Sequence, residues 1–344
     1  MSQKNTLLTP STLPRTAATE VAVPEPGPDW PVAKQTWGFA WHLHWIGFGC
    51  AYALLALNSA IVITRYRRTL SLAGRVLFNS VNSLLILLGV TRALYLFIDP
   101  YESGENLYKC PVWLVRPLFG LAFPCLTSSF SLLHIAFVEA VKLQLGPKKL
   151  QNVRFVSSVI VLHFVIVIVS DTTVAIHANR TELLIVCQSF FILWGIWNSA
   201  AFLYSGSRII LRERAIQRNL KLNSGNKHSG ARDWKTKISK VTIGTSILAL
   251  SCTGLQTYSL FGVYGIYSKV VNPQPWPWWA FQTSFRLVEL GLAYTIAYTV
   301  LQPAAKSQKC FFHFYNCNLN KRIDCLVNDA QAVKTAWNKD HELK

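Results

Sequence analysis

The chain has 344 residues, 51% hydrophobic and only 15% charged, with a mean hydropathy of +0.28. A soluble domain carries about a quarter charged residues, so this composition excludes an ordinary soluble enzyme and points to lipid as solvent. The net charge of +18 does not indicate a nucleic-acid partner, because the basic residues fall in short runs between long apolar stretches.

Residues 1–36 read as a disordered extracellular Pro/Thr-rich tail, with Pro10, Pro14, Pro24, Pro26, Pro28 and Pro31. No apolar stretch before Trp41 has the pattern of a cleavable signal peptide, so insertion is expected to rely on the first span. A bilayer core of about 30 Å needs roughly 20 apolar residues in a helix. Seven stretches meet that length: 41–63, 76–98, 112–138, 155–174, 183–204, 241–267 and 278–301. The predicted fold is an all-α membrane protein, a seven-transmembrane helix bundle over residues 37–305. Pro117 and Pro124 are expected to bend the third span, since each removes a backbone hydrogen bond.

Lys and Arg orient the bundle. The odd-numbered connections and the C-terminal tail hold 25 basic residues against seven on the opposite side, which places the N-terminus outside and the C-terminus in the cytoplasm. The sequon at Asn179 then falls outside, as a glycosylation candidate. Two tryptophan groups, Trp37/Trp41/Trp45 and Trp276/Trp278/Trp279, read as interfacial anchors at the outer face. The third cytoplasmic connection, 205–240, is strongly basic and is expected to meet cytoplasmic partners or anionic lipid.

The tail, 306–344, contains Cys310 among Lys306, Lys309, Phe311, Phe312, Phe314 and Tyr315. That pattern suits a short interfacial helix, with Cys310 and Cys317 as palmitoylation candidates. Cys110 at the outer end of the third span and Cys187 inside the fifth form a disulfide candidate, with two free thiols as the alternative.

Charged groups in a bilayer core face the bundle interior and find partners. Arg92 lies roughly 10 Å deep in the second span and Arg286 roughly 12 Å deep in the seventh, by helical rise, and Glu289 is one turn beyond Arg286. The three form the candidate ligand-binding site, an anion-accepting pocket with one arginine left over after Glu289 pairs. The alternative is a structural ion pair with the second arginine snorkelling outward. Asn58 and Asn82 share a depth near the cytoplasmic side, with Asn79 one turn from Asn82 on the same face, and the three read as a structural polar cluster. His134, His163, Gln188, Asn198 and Gln256 read as single interhelical hydrogen-bonding residues.

Seven helices with the N-terminus outside and a basic third loop give the outline of a G-protein-coupled receptor. The motifs of the large rhodopsin-like family are missing, however: the third span ends Val138-Glu139-Ala140-Val141, and the seventh has no Asn-Pro-x-x-Tyr. A closer resemblance rests on Asp29-Trp30-Pro31 with Trp37-Gly38-x-x-Trp41, on Arg92 to Tyr101 (RALYLFIDPY), and on Phe281-Gln282-x-x-x-Arg286-x-x-Glu289. These pieces look like the membrane domain of the proline-rich transmembrane proteins, and the resemblance implies a seven-span, receptor-like protein without an established biochemical activity.

No catalytic constellation, retinal lysine, metal site or cofactor motif is read from the sequence, and an enzyme is not expected. The expected function is an orphan receptor-like membrane protein sensing a small molecule or lipid, at the plasma membrane ahead of endomembranes. A non-signalling scaffold or trafficking protein is the alternative, and a transporter the weaker one.

Overall fold

The structure is a computed structural model, and it describes residues 27–66, 72–104, 111–141, 153–176, 182–223, 230–263 and 273–301. Among these residues every regular element is helical. In chain order they are α1 (Trp30–Trp37), α2 (Phe39–Tyr66), α3 (Leu72–Ile98), α4 (Val112–Gly120), α5 (Ala122–Val141), α6 (Val153–Ile176), α7 (Glu182–Asn223), α8 (Gly230–Tyr258) and α9 (275–301). Among the described residues five stretches are long and apolar enough to cross a membrane: Phe39–Tyr66, Arg75–Glu102, Trp113–Val138, Val153–Ile176 and Ile185–Arg208. The sixth expected span, 241–267, is helical from 241 to 263, through α8 and the π-helical turn Ser259–Val263, and its last residues lie outside the described residues; the seventh, 278–301, lies in α9, which carries Arg286 and Glu289.

The helices form a closed ring. α2 packs on α3, α3 on α5, α5 on α6 and α7, α6 on α7, and α7 on α8. α9 closes it: Phe281 meets Tyr258 of α8, while Thr283 and Tyr294 bond α2 at His44 and at the Ala51 carbonyl. The polarity of this ring is inverted relative to a soluble bundle. Outward-facing positions include Leu54, Leu57, Ile61, Val161, Val165 and Leu193, whereas Arg92, Arg116, Asp171, Arg286 and Glu289 are buried. An apolar exterior around an interior that buries charges among its hydrophobic side chains is stable only where the surroundings are themselves apolar.

Three sequence expectations meet local geometry directly. The third span breaks at Leu121 between α4 and α5, flanked by Pro117 and Pro124, as the missing N–H groups require. The ordered fold begins before residue 37: α1 opens with Pro31 in its first turn and ends at Gly38, whose φ of 49° turns the chain into α2. This corrects the assignment of 1–36 as one disordered tail; residues 1–26 lie outside the described residues. The stretch 205–240 is largely a continuation of α7 and α8, because strong helix formers such as Arg, Leu, Ala, Gln and Lys dominate 211–221. With 42 residues α7 is about 63 Å long, twice the thickness of a bilayer core.

The tryptophans differ from their expected role. Trp37, Trp41 and Trp278 are buried against one another, with centroids 5.3–6.4 Å apart, and Trp30 closes over them. Only Trp276 among the six is largely exposed. The group is an internal aromatic cap more than an interfacial belt, because α1 folds back over the N-terminal ends of α2 and α9.

Candidate functional site

Beneath this cap lies the buried charge cluster. Glu289 on α9 accepts two hydrogen bonds at Oε1, from Arg92 Nε (3.1 Å) and Nη2 (2.9 Å). It accepts two at Oε2, from Arg286 Nη1 (2.7 Å) and the Tyr52 hydroxyl (2.5 Å). A carboxylate offers about four lone-pair sites, so Glu289 is saturated. Arg92, Arg286 and Glu289 are all 0% exposed. The expected leftover arginine is therefore not found: one carboxylate serves both guanidinium groups, and it joins α3 to α9.

The remaining donors are also met. Arg92 Nη1 donates to the Phe119 carbonyl at 3.0 Å, in the turn loosened by the α4–α5 break. The rings of Phe119 and Phe123 lie 5.0 Å from the Arg92 guanidinium, a cation–π geometry. Arg286 Nε donates to the Tyr101 hydroxyl at 3.2 Å, and that hydroxyl lies 3.0 Å from His44 Nε2. His44 Nδ1 is 2.9 Å from Thr283 Oγ1. The order that satisfies each donor is Arg286 to Tyr101 to His44 to Thr283, which assigns the imidazole proton to Nδ1.

Tyr101 reaches this position from strained backbone. Its φ is 56° and that of Glu102 is 57°, a left-handed conformation that costs a non-glycine residue roughly 1–3 kcal/mol. The surroundings hold it: Asp99 Oδ1 accepts from Gly104 N (2.8 Å), Lys34 Nζ donates to Ser103 O (3.0 Å), and the ring sits 5.1 Å from Trp278. The Asp99-Pro100-Tyr101 segment is thus a plug that lowers a phenol onto Arg286.

A second polar region lies beside the first, behind Phe119 and Phe123. A cavity of about 40 Å³ is lined by those rings and by Gly120, Asp171, Gln188 and Gln256, among others. Gly120 permits the arrangement, since a Cβ there would overlap the Asp171 carboxylate. Asp171 is 6% exposed and Arg116 1%, yet Asp171 Oδ2 and all three Arg116 guanidinium nitrogens have no hydrogen-bond partner among the described residues. Arg116 interacts electrostatically with Glu102 and with Asp171, but no hydrogen bond joins it to Asp171.

The other sequence-derived positions divide clearly. His134 meets Ser205 (3.2 Å), His163 meets Thr127 (3.0 Å) and Asn198 donates to Ser131 (3.0 Å), all across helix pairs as expected. Gln188 and Gln256 instead line the cavity. The asparagine cluster does not assemble: Asn58 is exposed, and Asn82 donates to the Phe78 carbonyl of its own helix (2.9 Å). Equal depth put them level, but Asn58 falls on the outer face of α2. Cys187 carries a free thiol whose Sγ donates to the Ile166 carbonyl at 3.8 Å; Cys110, its expected partner, lies outside the described residues, as do Asn179, Cys310 and Cys317. Tyr52, His44 and Tyr101 were not anticipated in the cluster. The signal available for Tyr101 was its place directly after Asp99-Pro100, and for Tyr52 a lone phenol in an apolar run.

Fold and site together define a multi-pass α-helical membrane protein with a polar, charge-bearing interior. The proline-rich transmembrane protein 3 domain family matches residues 15–318, most of the chain, and the chain belongs to that family. It is similar to proline-rich transmembrane protein 4 of Mus musculus, 27% identical over 301 residues, and of Homo sapiens, 25% identical over 291 residues. Each match covers 82% of this chain and 31% of the relative, so the chain spans about a third of the length of the curated relatives it matches. No solved structure matches.

Proposed function

We propose that the chain is a seven-span, receptor-like protein that senses a small ligand in the outer half of its bundle, with the N-terminus outside and the C-terminus in the cytoplasm. α8 and α9 supply the sixth and seventh crossings, and the basic extensions of α7 and α8 face cytoplasmic partners or anionic lipid. The saturation of Glu289 carries the assignment of roles. A carboxylate with four donors and two arginines with internal acceptors leave little capacity for a ligand. Arg92, Arg286 and Glu289 are therefore the brace that holds the second and seventh spans together. Ligand capacity belongs to the neighbouring cavity, where the buried Asp171 Oδ2 lacks a partner among the described residues. Phe119 and Phe123 touch both regions, so occupancy of the cavity is positioned to bias the brace. The plasma membrane is the proposed site of residence.

The test combines tags at Met1 and Lys344 with a coupling assay across G-protein types on the surface-expressed chain. Tags on opposite faces together with basal or ligand-dependent coupling support the reading. Tags on one face would remove the seven-span architecture. Opposite tags with complete silence in every format would favour a non-signalling scaffold.

A further inference from the structure

We propose that Arg116, Asp171 and the cavity beside them form a site for a small zwitterion, an ammonium group next to a carboxylate, carried by a free amino acid or by a lipid headgroup. The inference rests on the reading that the outer half of the bundle holds a small ligand, and it names the chemistry of that ligand.

Burying an isolated charge is costly unless it is paired and hydrogen-bonded. Arg116 is the most exposed to this penalty: its guanidinium is buried and has three nitrogens without an acceptor among the described residues. Asp171 presents the complementary deficit, a buried carboxylate oxygen without a donor. The two sit on packed helices, α4 and α6. Arg116 is one turn nearer the outer end of α4 than Gly120, and Gly120 is the residue that makes room for the Asp171 carboxylate.

Glu102 and Asp171 both act electrostatically on Arg116, yet no hydrogen bond reaches its guanidinium among the described residues; a lone cation would give Asp171 Oδ2 a donor and leave Arg116 without an acceptor, and a lone anion would do the reverse. One species that both donates and accepts satisfies the pair. Gln188 and Gln256 line the cavity that Asp171 lines, with Arg116 on the packed helix α4, and each amide offers a donor and an acceptor. The volume, about 40 Å³, matches a compact polar head, since a single water needs roughly 10–15 Å³. Bridging waters would also meet both groups, and in that case no added ligand would be taken up.

The experiment is thermal unfolding of the purified full chain in detergent, titrated with glycine, methylammonium and acetate. Glycine is expected to raise the midpoint by about 5 °C at a hundredfold excess over its Kd, while methylammonium and acetate leave it unchanged. Asp171→Asn and Arg116→Gln should each abolish the glycine shift. Gln256→Leu, which retains both charges, should weaken the shift and serves as the readout if either charge variant fails to fold. In nanodiscs, a rise in midpoint with phosphatidylserine and not with phosphatidylglycerol, without a glycine effect, identifies a lipid headgroup as the source and also supports the site. Methylammonium or acetate acting as well as glycine overturns the zwitterion and leaves a ligand site of simpler charge. The absence of a shift from every probe, with tags still on opposite faces, overturns the inference and leaves the receptor-like architecture standing.

Discussion

Two buried polar regions lie side by side in this bundle, separated by the rings of Phe119 and Phe123, and they are finished to different degrees. Around Glu289 every donor and acceptor named above is matched, two arginines to one carboxylate. Around Asp171 an arginine and a carboxylate are again present, but no hydrogen bond joins Arg116 to Asp171, and Asp171 lines a cavity. The difference shows how one bundle separates scaffold from site. A satisfied network rigidifies and specifies packing, whereas an unsatisfied one retains free energy that a partner is able to recover.

The largest expected effect comes from opening the finished region. Glu289→Gln strands two buried cations, and removing one partner of a buried pair costs about 3–5 kcal/mol; surface abundance and thermal midpoint should both fall sharply. Because Arg92 and Arg286 share the carboxylate, Glu289→Leu with Arg286→Met should restore only part of the loss. Addition of Arg92→Met should restore most of it. Full recovery by the double variant would show that Arg92 does not depend on Glu289.

Next in size is Gly120→Ala, whose Cβ would collide with the Asp171 carboxylate. Overpacking of this kind costs about 1–3 kcal/mol, to be measured as a lowered midpoint in detergent. An unchanged midpoint would mean that the carboxylate moves aside freely.

Arg116→Met should lower stability by less than Arg92→Met does, by about 1 kcal/mol, because Arg116 has no hydrogen-bond acceptor among the described residues and only its field on Glu102 and Asp171 is lost. A fall in stability at Arg116 comparable to that at Arg92 would erase the contrast between the two regions. The smallest effect belongs to Asn58→Leu. Asn58 is exposed on α2 without a hydrogen bond to Asn79 or Asn82, so the midpoint should shift by less than about 0.5 kcal/mol in equivalent stability. A large loss would reinstate the interhelical amide cluster.

Much of this arrangement was legible along the chain. Apolar stretches of about 20 residues located the helices, because a bilayer core imposes that length whatever the packing. Pro117 and Pro124 announced the α4–α5 break, because a missing N–H acts within one turn. Arg92, Arg286 and Glu289 stood out by their depth in apolar helices, and the assumed adjacency of the second and seventh spans placed them together. Depth, however, is only one coordinate. Asn58 and Asn82 share it and do not meet, since the rotation of each helix about its axis decides which residues face inward. Arg116 and Asp171, inside the third and fourth expected spans, were not singled out along the chain, yet both are buried. The sequence by itself thus determined the helical class, the break in the third span and the existence of buried charge. Only the tertiary structure decided the stoichiometry of pairing, because whether one carboxylate serves two arginines depends on helix rotation and on a strained turn at Tyr101, and neither is encoded in the spacing of any single segment.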